Sequence, residues 1–479
     1  MRHGVRKADL FASFVVFLVA LPLCVGVALA SGVPAELGLV TGIVGGLVVG
    51  VLPGSSLQVS GPAAGLTVLV HEAVQRYGVA ALGVLVLAAG LVQLGLGALR
   101  LGRWFRAVSV AVVHGMLAGI GLVLVAGQVY ALGDVGAPEG GLGKLAGLVW
   151  LPGRVDPVAL SVGGATMVVL LLWGRWRLGA RLVPAPLVAV TLAAGVTWVF
   201  DLDVRRVRVQ GLWDAVRVPE AADFGRLTEV GVIGTVVAFA LIASAESLFG
   251  AAAVDRLHDG RRTDYDRELM AQGAGNAVCG VLGALPMTAV IVRSAANVRA
   301  GARTKASRVL HGVWLLLFAA VVPGVLGVIP VAALAGLLVY AGGKLVPVRE
   351  ARKLWRGHRA EVVVLGVTAG AIVVGNLFEG VLVGLALAVA KTAWEISHVH
   401  VETEDRGDAG LVVRVLGHAT FLRLPKLLDA LEALPRDREV RLELGGLRHV
   451  DHACAAALEG WAAAREQRAE LLREELLRG

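Results

Sequence analysis

Gln58-Val59-Ser60-Gly61-Pro62 and Leu285-Pro286-Met287-Thr288 interrupt two apolar stretches where membrane spans should run. Each break precedes a short apolar segment that reads as a helix starting inside the membrane. Such a helix aims free backbone N–H groups and a partial positive charge at whatever sits before it. An anion is its natural guest. Gly- and Pro-rich breaks at corresponding positions of two halves are the strongest sequence pointer to a transporter's binding site. A proline kink explains either break alone, but not two at matched positions.

The 479 residues are 57% hydrophobic and only 17% charged, with a mean hydropathy of +0.75. Soluble chains carry roughly a quarter charged residues, so this composition is that of a polytopic membrane protein. The 63 glycines suit close helix packing in lipid. The net charge of +8 is spread over short loops rather than one soluble face, which excludes nucleic-acid binding. Cys24, Cys279 and Cys454 have no paired spacing, so neither a disulfide framework nor a metal site follows. The N-terminal Arg2, Arg6 and Lys7 with Ala28-Leu29-Ala30 imitate a cleaved leader. Pro22 within the run, its length and the span that follows at once favour a retained first span.

Runs of about 20 apolar residues mark spans. They fall near 10–30, 35–52, 59–75, 79–99, 106–127, 157–173, 183–200, 229–253, 267–284, 286–299, 307–323, 328–344, 361–376 and 379–396. The third and tenth are short, as half-helices should be. Seven spans plus seven make an inverted repeat, about 1–205 and 226–399, within a membrane domain 1–399. The basic loops hold Arg100, Arg103 and Arg106; Arg175, Arg177 and Arg181; Arg256, Arg261 and Arg262; Arg299, Arg303, Lys305 and Arg308; and Lys344 to Arg359. All fall on one side, the cytoplasm by the positive-inside rule, with both termini. The outer stretch 128–156 holds only Lys144 and Arg154, and 201–227 has balanced charges. Beyond residue 400, strands are expected at 411–415 and 440–444 and helices at 420–433 and 453–477. They describe a cytoplasmic α/β domain over 405–479.

Glu246, within Ala-Ser-Ala-Glu-Ser-Leu-Phe-Gly, is the one acidic residue of the run 232–254. A carboxylate inside a span is a functional-site candidate by default. It carries a proton, ligates a cation such as Na+, or pairs with a nearby Arg. Arg293, about two turns into the second short helix, attracts an anion, neutralises Glu246 or snorkels to the cytoplasm. Ser60, Gly61, Ala63, Ala64 and Gly65 open the first half-helix; Pro286, Met287, Thr288 and Ala289 open the second. Their expected role is backbone N–H donation, with Thr288 adding a hydroxyl beside the coupling ion and Met287 an apolar wall. Asn376 and Glu379 read as turn residues, Glu72 as interface chemistry and His114 as a packed, hydrogen-bonded histidine. No metal, phosphate-loop or nucleophile motif is visible.

At these residues the chain resembles the SulP family of anion transporters. The carrying stretches are Leu21-Pro22 through Ala30-Ser31-Gly32-Val33-Pro34, Gln58 to Pro62, Ser244-Ala245-Glu246-Ser247, Asp266-Arg267-Glu268-Leu269 through Gln272-Gly273, and Asn297 to Thr304. The resemblance covers essentially the whole membrane part. It implies a fourteen-span, seven-plus-seven fold with core and gate domains, an anion between the half-helices, a homodimer and a C-terminal STAS domain. It places Glu246 at the acidic position tied to proton or sodium coupling, and Arg293 at an arginine linked to the anion site in some members. The chain departs from the pattern in a STAS part that stops after its second helix. It also has Asp451-His452-Ala453 where related domains place a phosphorylatable Ser, and it carries no fused carbonic anhydrase. Nucleobase permeases share the overall fold but use a second carboxylate in the tenth span, and 286–299 holds none.

The sequence reading is therefore an inner-membrane secondary active transporter, not an enzyme, with no cofactor beyond H+ or Na+ as coupling ion. Its partners are a small inorganic anion, the lipid bilayer and a second copy. Bicarbonate is favoured, with sulfate next, by likeness to the family branch that carries carbonic anhydrase fusions. Glu rather than Asp at 246 favours the proton. The rivals are a proton-coupled C4-dicarboxylate symporter, a channel-like or sensory protein and, last, a membrane-embedded enzyme.

Overall fold

The computed structural model describes residues 7–107, 109–176, 183–407, 410–435 and 438–478, so Arg2, Arg6, Arg177 and Arg181 lie outside the described residues. The chain forms two units, divided between Leu385 and Ala386. The first opens with α1 (Lys7–Ala30), α2 (Ala35–Val44), strand β1 (Ser60–Pro62), α3 (Thr67–Tyr77), α4 (Val79–Ala98), α5 (Val110–Leu132), α6 (Pro157–Trp173) and α7 (Ala185–Val199). There follow α8 (Val230–Asp255), α9 (Tyr265–Val281), β2 (Met287–Ala289), α10 (Ile291–Arg299), α11 (Ala306–Val321), α12 (Val331–Leu345) and α13 (Arg359–Val374); α14 (Leu377–Ile396) carries the chain across the division.

Among the described residues, six helical stretches are long and apolar enough to cross a membrane alone: α1, α4, α5, α8, the stretch from α12 to Gly357, and α14. Two packing groups build the unit. Helices α1–α4 pack with α8–α11, and α5–α7 pack with α12 and α13. Small residues set the closest approach. A Cβ on Gly280 or Gly273 of α9 would sit 2.2 and 2.7 Å from the backbone nitrogens of Leu87 and Leu94 on α4, so the two helices touch backbone to backbone.

Two expectations change at the strand breaks. Ser60-Gly61-Pro62 and Met287-Thr288-Ala289 are extended and pair antiparallel, Gly61 opposite Thr288. They are not the first turns of helices. Prolines 62 and 286 lack an N–H and push the residue before them into extended conformation, so helix begins only at the 3-10 turn Ala64–Leu66 and at Ile291. The basic loop at 299–308 is also only partly a loop. Arg308 is 2% exposed, and its guanidinium donates to Gly50 O and Leu52 O at 2.9 Å, while Lys305 Nζ donates to Leu52 O at 2.7 Å. These two cations cap the carbonyls where α2 ends in a π turn, Gly45–Val49.

The second unit holds the three-stranded sheet β3 (Val399–Asp405), β4 (Leu411–Ala419) and β5 (Val440–Val450) with α15 (Leu424–Glu432) and α16 (His452–Arg478). Strands β3 and β4 are antiparallel; β4 and β5 are parallel. Val413, Val415, Leu427, Leu431 and Cys454 form its core. The expected strands are present and run longer, and β3 is additional. Asp451 caps α16. Its carboxylate accepts from Cys454 N at 2.9 Å and from Phe421 N, bonds that hold it below the usual carboxylate range.

Candidate functional site

The paired strands cross inside the first packing group, and buried polar side chains from three helices hold them. Asn276 on α9 clamps Met287: its Oδ1 accepts from Met287 N at 2.7 Å and its Nδ2 donates to Met287 O at 3.2 Å and to Gln93 Oε1 at 2.7 Å. Gln272, one turn earlier, donates to Ser60 Oγ at 2.7 Å and to Glu268 Oε1 at 2.8 Å. Glu268 accepts from Ser55 N at 2.7 Å. The serines flanking Glu246 complete the frame. Ser247 Oγ accepts from Ala289 N at 3.2 Å, Ser247 O accepts from Gln58 Nε2 at 2.9 Å, and Ser244 Oγ accepts from Gln93 Nε2 at 3.1 Å. Ser-Ala-Glu-Ser thus pins α8 to β2, to Gln58 just before β1 and to α4, and fixes where Glu246 stands.

Beyond the strands lies a cavity of about 140 Å³ between the two packing groups. Ala63, Ala64 and Gly65 line it where β1 leads into α3, and Thr288 and Ala289 of β2 and Arg293 of α10 line it at the second crossing, with Glu246 from α8. The opposite wall is apolar, Met116 and Leu117 of α5 and Leu337 of α12 among it, ending at Tyr340 and Lys344. The Lys344 ammonium sits 4.0 Å from the centre of the Tyr340 ring.

Arg293 is the most unusual group present. It is 0% exposed, the largest fully buried side chain among the described residues. Its Nη2 makes one long bond, 3.4 Å to Pro62 O, and its Nε and Nη1 have no partner. Among the described residues no carboxylate lies within ion-pair distance of it, Glu246 included. A buried cation without a counter-charge is strongly unfavourable. The pairing and snorkelling readings both fall away. Arg293 also stands in the first turn of α10, not two turns in.

Glu246 is partly buried and meets the start of the first short helix. A Cβ on Gly65 would overlap its carboxylate, just as a Cβ on Gly61 would meet Arg293 Nη1 at 2.2 Å. The Thr288 hydroxyl faces the Glu246 carboxyl. The guanidinium and the carboxylate thus stand at two glycines four residues apart on the same crossing segment.

Of the residues expected to line the site, Ser60, Gly61, Pro286 and Met287 lie behind it. Met287 is fully buried in the apolar core rather than forming a cavity wall, and its N–H is spent on Asn276. The N–H of Ala289 is likewise spent on Ser247. His114 packs beside the cavity helices, but its Nδ1 has no hydrogen-bond partner. Asn376 caps α14 by accepting from Glu379 N at 2.9 Å. Sequence reasoning missed the buried amides Gln93, Gln272 and Asn276, and the wall supplied by α5 and α12. The polar positions along one face of α9, Glu268, Gln272 and Asn276, spaced four apart, were the available signal.

Crossed, interrupted elements beside a buried uncompensated cation, within a body of apolar helices, define a membrane transport protein. Residues 7–368 match the sulfate permease family, and the chain belongs to that family. It is 28% identical over 390 residues to the "Putative sulfate transporter YvdB" of Bacillus subtilis, covering 80% of this chain and 72% of that one. It is 27% identical over 359 residues to the bicarbonate transporter BicA of a Synechocystis species, covering 71% of this chain and 61% of the relative. The solved transmembrane domain of a cyanobacterial BicA superposes with a TM-score of 0.69 at 23% identity, over 81% of this chain and 98% of that domain. The family and these relatives are transporters, not enzymes.

Proposed function

We propose that this chain is a secondary active transporter of a small inorganic oxyanion, bicarbonate ahead of sulfate, with Glu246 carrying the coupling ion. The observation that carries the reading is Arg293: fully buried, unpaired by any carboxylate, and lining the cavity from the first turn of α10. A bound oxyanion supplies the missing counter-charge, and charge-assisted bonds to guanidinium are the strong kind. The start of α10 adds backbone N–H groups and its dipole on the same side. The names of the relatives support both anions.

Coupling follows from the placement of Glu246 on the same pocket. An ionised carboxylate there opposes an incoming anion; a protonated or Na+-bound one does not. Anion and coupling ion therefore bind with positive cooperativity, which is what symport requires. The proton is the favoured ion. We read the chain as a seven-plus-seven inverted repeat of fourteen spans, with α3 and α10 as matched third members. The membrane domain runs over 1–399 and a STAS-like domain over 405–479. The protein sits in the bacterial inner membrane as a homodimer, with both termini cytoplasmic.

The test is uptake into proteoliposomes of purified protein, using labelled bicarbonate, sulfate and succinate under imposed pH and Na+ gradients in turn. Concentrative uptake of an inorganic anion under one gradient is the expected result. Accumulation of succinate alone moves the assignment to dicarboxylates. Equilibration without accumulation under every gradient replaces it with a channel.

A further inference from the structure

A second cavity, of about 490 Å³, abuts the same two helices from the other end. The first cavity touches α5 at Val113, Met116 and Leu117; the second touches it at Gln128 and Ala131. Leu117 and Gln128 lie about 16 Å apart along a helix. On α12 the first cavity reaches to Lys344 and Leu345, the second to Val331 at the opposite terminus. In the wall of the second cavity, Gly26 of α1 lies against the side chain of Leu338 of α12, a Cβ there falling 3.5 Å away.

The charge of the second cavity comes from Arg205-Arg206-Val207-Arg208. In sequence this stretch looks neutralised by Asp201, Asp203 and Asp214. In space it is not. Arg205, Arg206 and Arg208 all line the cavity, and no carboxylate does. Arg205 is paired with Asp134 at 2.9 Å. Among the described residues, Arg206 and Arg208 have no acidic partner, and Arg206 makes only a 3.4 Å bond to Thr197 O. The backbone holds the three arginines as an extended strap. Val207 N donates to Ile329 O at 3.0 Å and Val331 N to Arg205 O at 2.8 Å, at the start of α12. Gln210 N then donates to Glu36 Oε1 at 2.6 Å, at the start of α2.

We propose that Arg206 and Arg208, with Arg205, form a second anion-binding site, a vestibule for a small inorganic oxyanion at the end of the pathway opposite Lys344. The proposal rests on the reading of the Arg293 cavity as the transport site. Two arginines without an acidic partner beside a concave, largely apolar wall concentrate anions there, and planar guanidinium suits an oxyanion's geometry. The vestibule is open to water, so its affinity is weak and sensitive to ionic strength. The Arg293 site, shielded by burial, is much less so.

Equilibrium binding of labelled sulfate to the purified full chain tests this. At about 0.01 M ionic strength wild type binds two sulfates per chain, and at about 0.3 M one. Arg206→Gln/Arg208→Gln binds one at either ionic strength, and Arg206→Lys/Arg208→Lys restores the second at low ionic strength. Arg293→Ala keeps only the salt-sensitive sulfate. A single sulfate in wild type at low ionic strength, or two in the Gln pair, overturns the vestibule. If the Gln pair loses a sulfate while Arg293→Ala loses none, the vestibule stands and the reading of the buried site falls.

Discussion

At the first crossing the chain runs Ser60-Gly61-Pro62, turns through the 3-10 segment Ala64–Leu66 and only then enters α3. At the second, Met287-Thr288-Ala289 is followed by Val290 alone before α10 begins. The two strands pair with each other, yet they carry different chemistry. The first presents small residues and bare backbone, and its glycines make room for side chains from elsewhere. The second brings its own charge, Arg293, in the first turn of its helix. Two paired strands carry unlike loads: the first crossing receives, the second supplies.

The sharpest way to break this comparison is to remove the supplied charge. Arg293→Met should weaken anion binding by about 10- to 100-fold, the scale of a lost charge-assisted hydrogen bond. Its thermal midpoint should stay level or rise, because an unpaired buried cation is removed. A fall of many degrees in a melting scan would make Arg293 a structural group. Glu246→Gln should abolish gradient-driven accumulation while leaving anion exchange, read as counterflow from preloaded vesicles. Undiminished accumulation would remove Glu246 from coupling.

The frame around each crossing gives a smaller contrast. Asn276 satisfies both backbone groups of Met287, whereas Gln272 reaches only the Ser60 hydroxyl and Glu268. Asn276→Leu should cost about 2–4 kcal/mol, with a buried N–H and C=O left unpaired, and Gln272→Leu about 1–2 kcal/mol. Denaturation of the two variants in detergent would rank them, and the reverse order would show that the first crossing is the more tightly held. The smallest effects belong to the glycines. Gly61→Ala displaces the end of Arg293 and should raise the anion Kd about threefold; Gly65→Ala displaces the Glu246 carboxylate and should lower the accumulation ratio with little change in Kd. Identical behaviour of the two would remove the division of labour.

Much of this was legible without coordinates. Long apolar runs announce helices because nothing else satisfies the backbone in lipid. A lone Glu inside one of them, and prolines breaking two of them, stand out against that background. The strand pairing was not legible. Three residues are too few for a period-2 pattern, and the partners are more than two hundred positions apart. Nor were Gln93 and Asn276, whose amides mark no chemistry until the fold brings them to each other. Arg308 misled for a related reason: it reads as part of an exposed basic loop, while the carbonyls of Gly50 and Leu52 that hold it buried are remote in sequence.

The strap bearing the three arginines has a mechanical consequence. It is bonded to the start of α12 at Val207 and to the start of α2 at Gln210, elements of the two different packing groups. Three residues of fully extended chain span at most about 11 Å. While both anchors hold, the groups at that end can part no further than this short length allows. The strap is thus a travel stop, and any wider excursion must first give up the bonds at Glu36 or at Ile329.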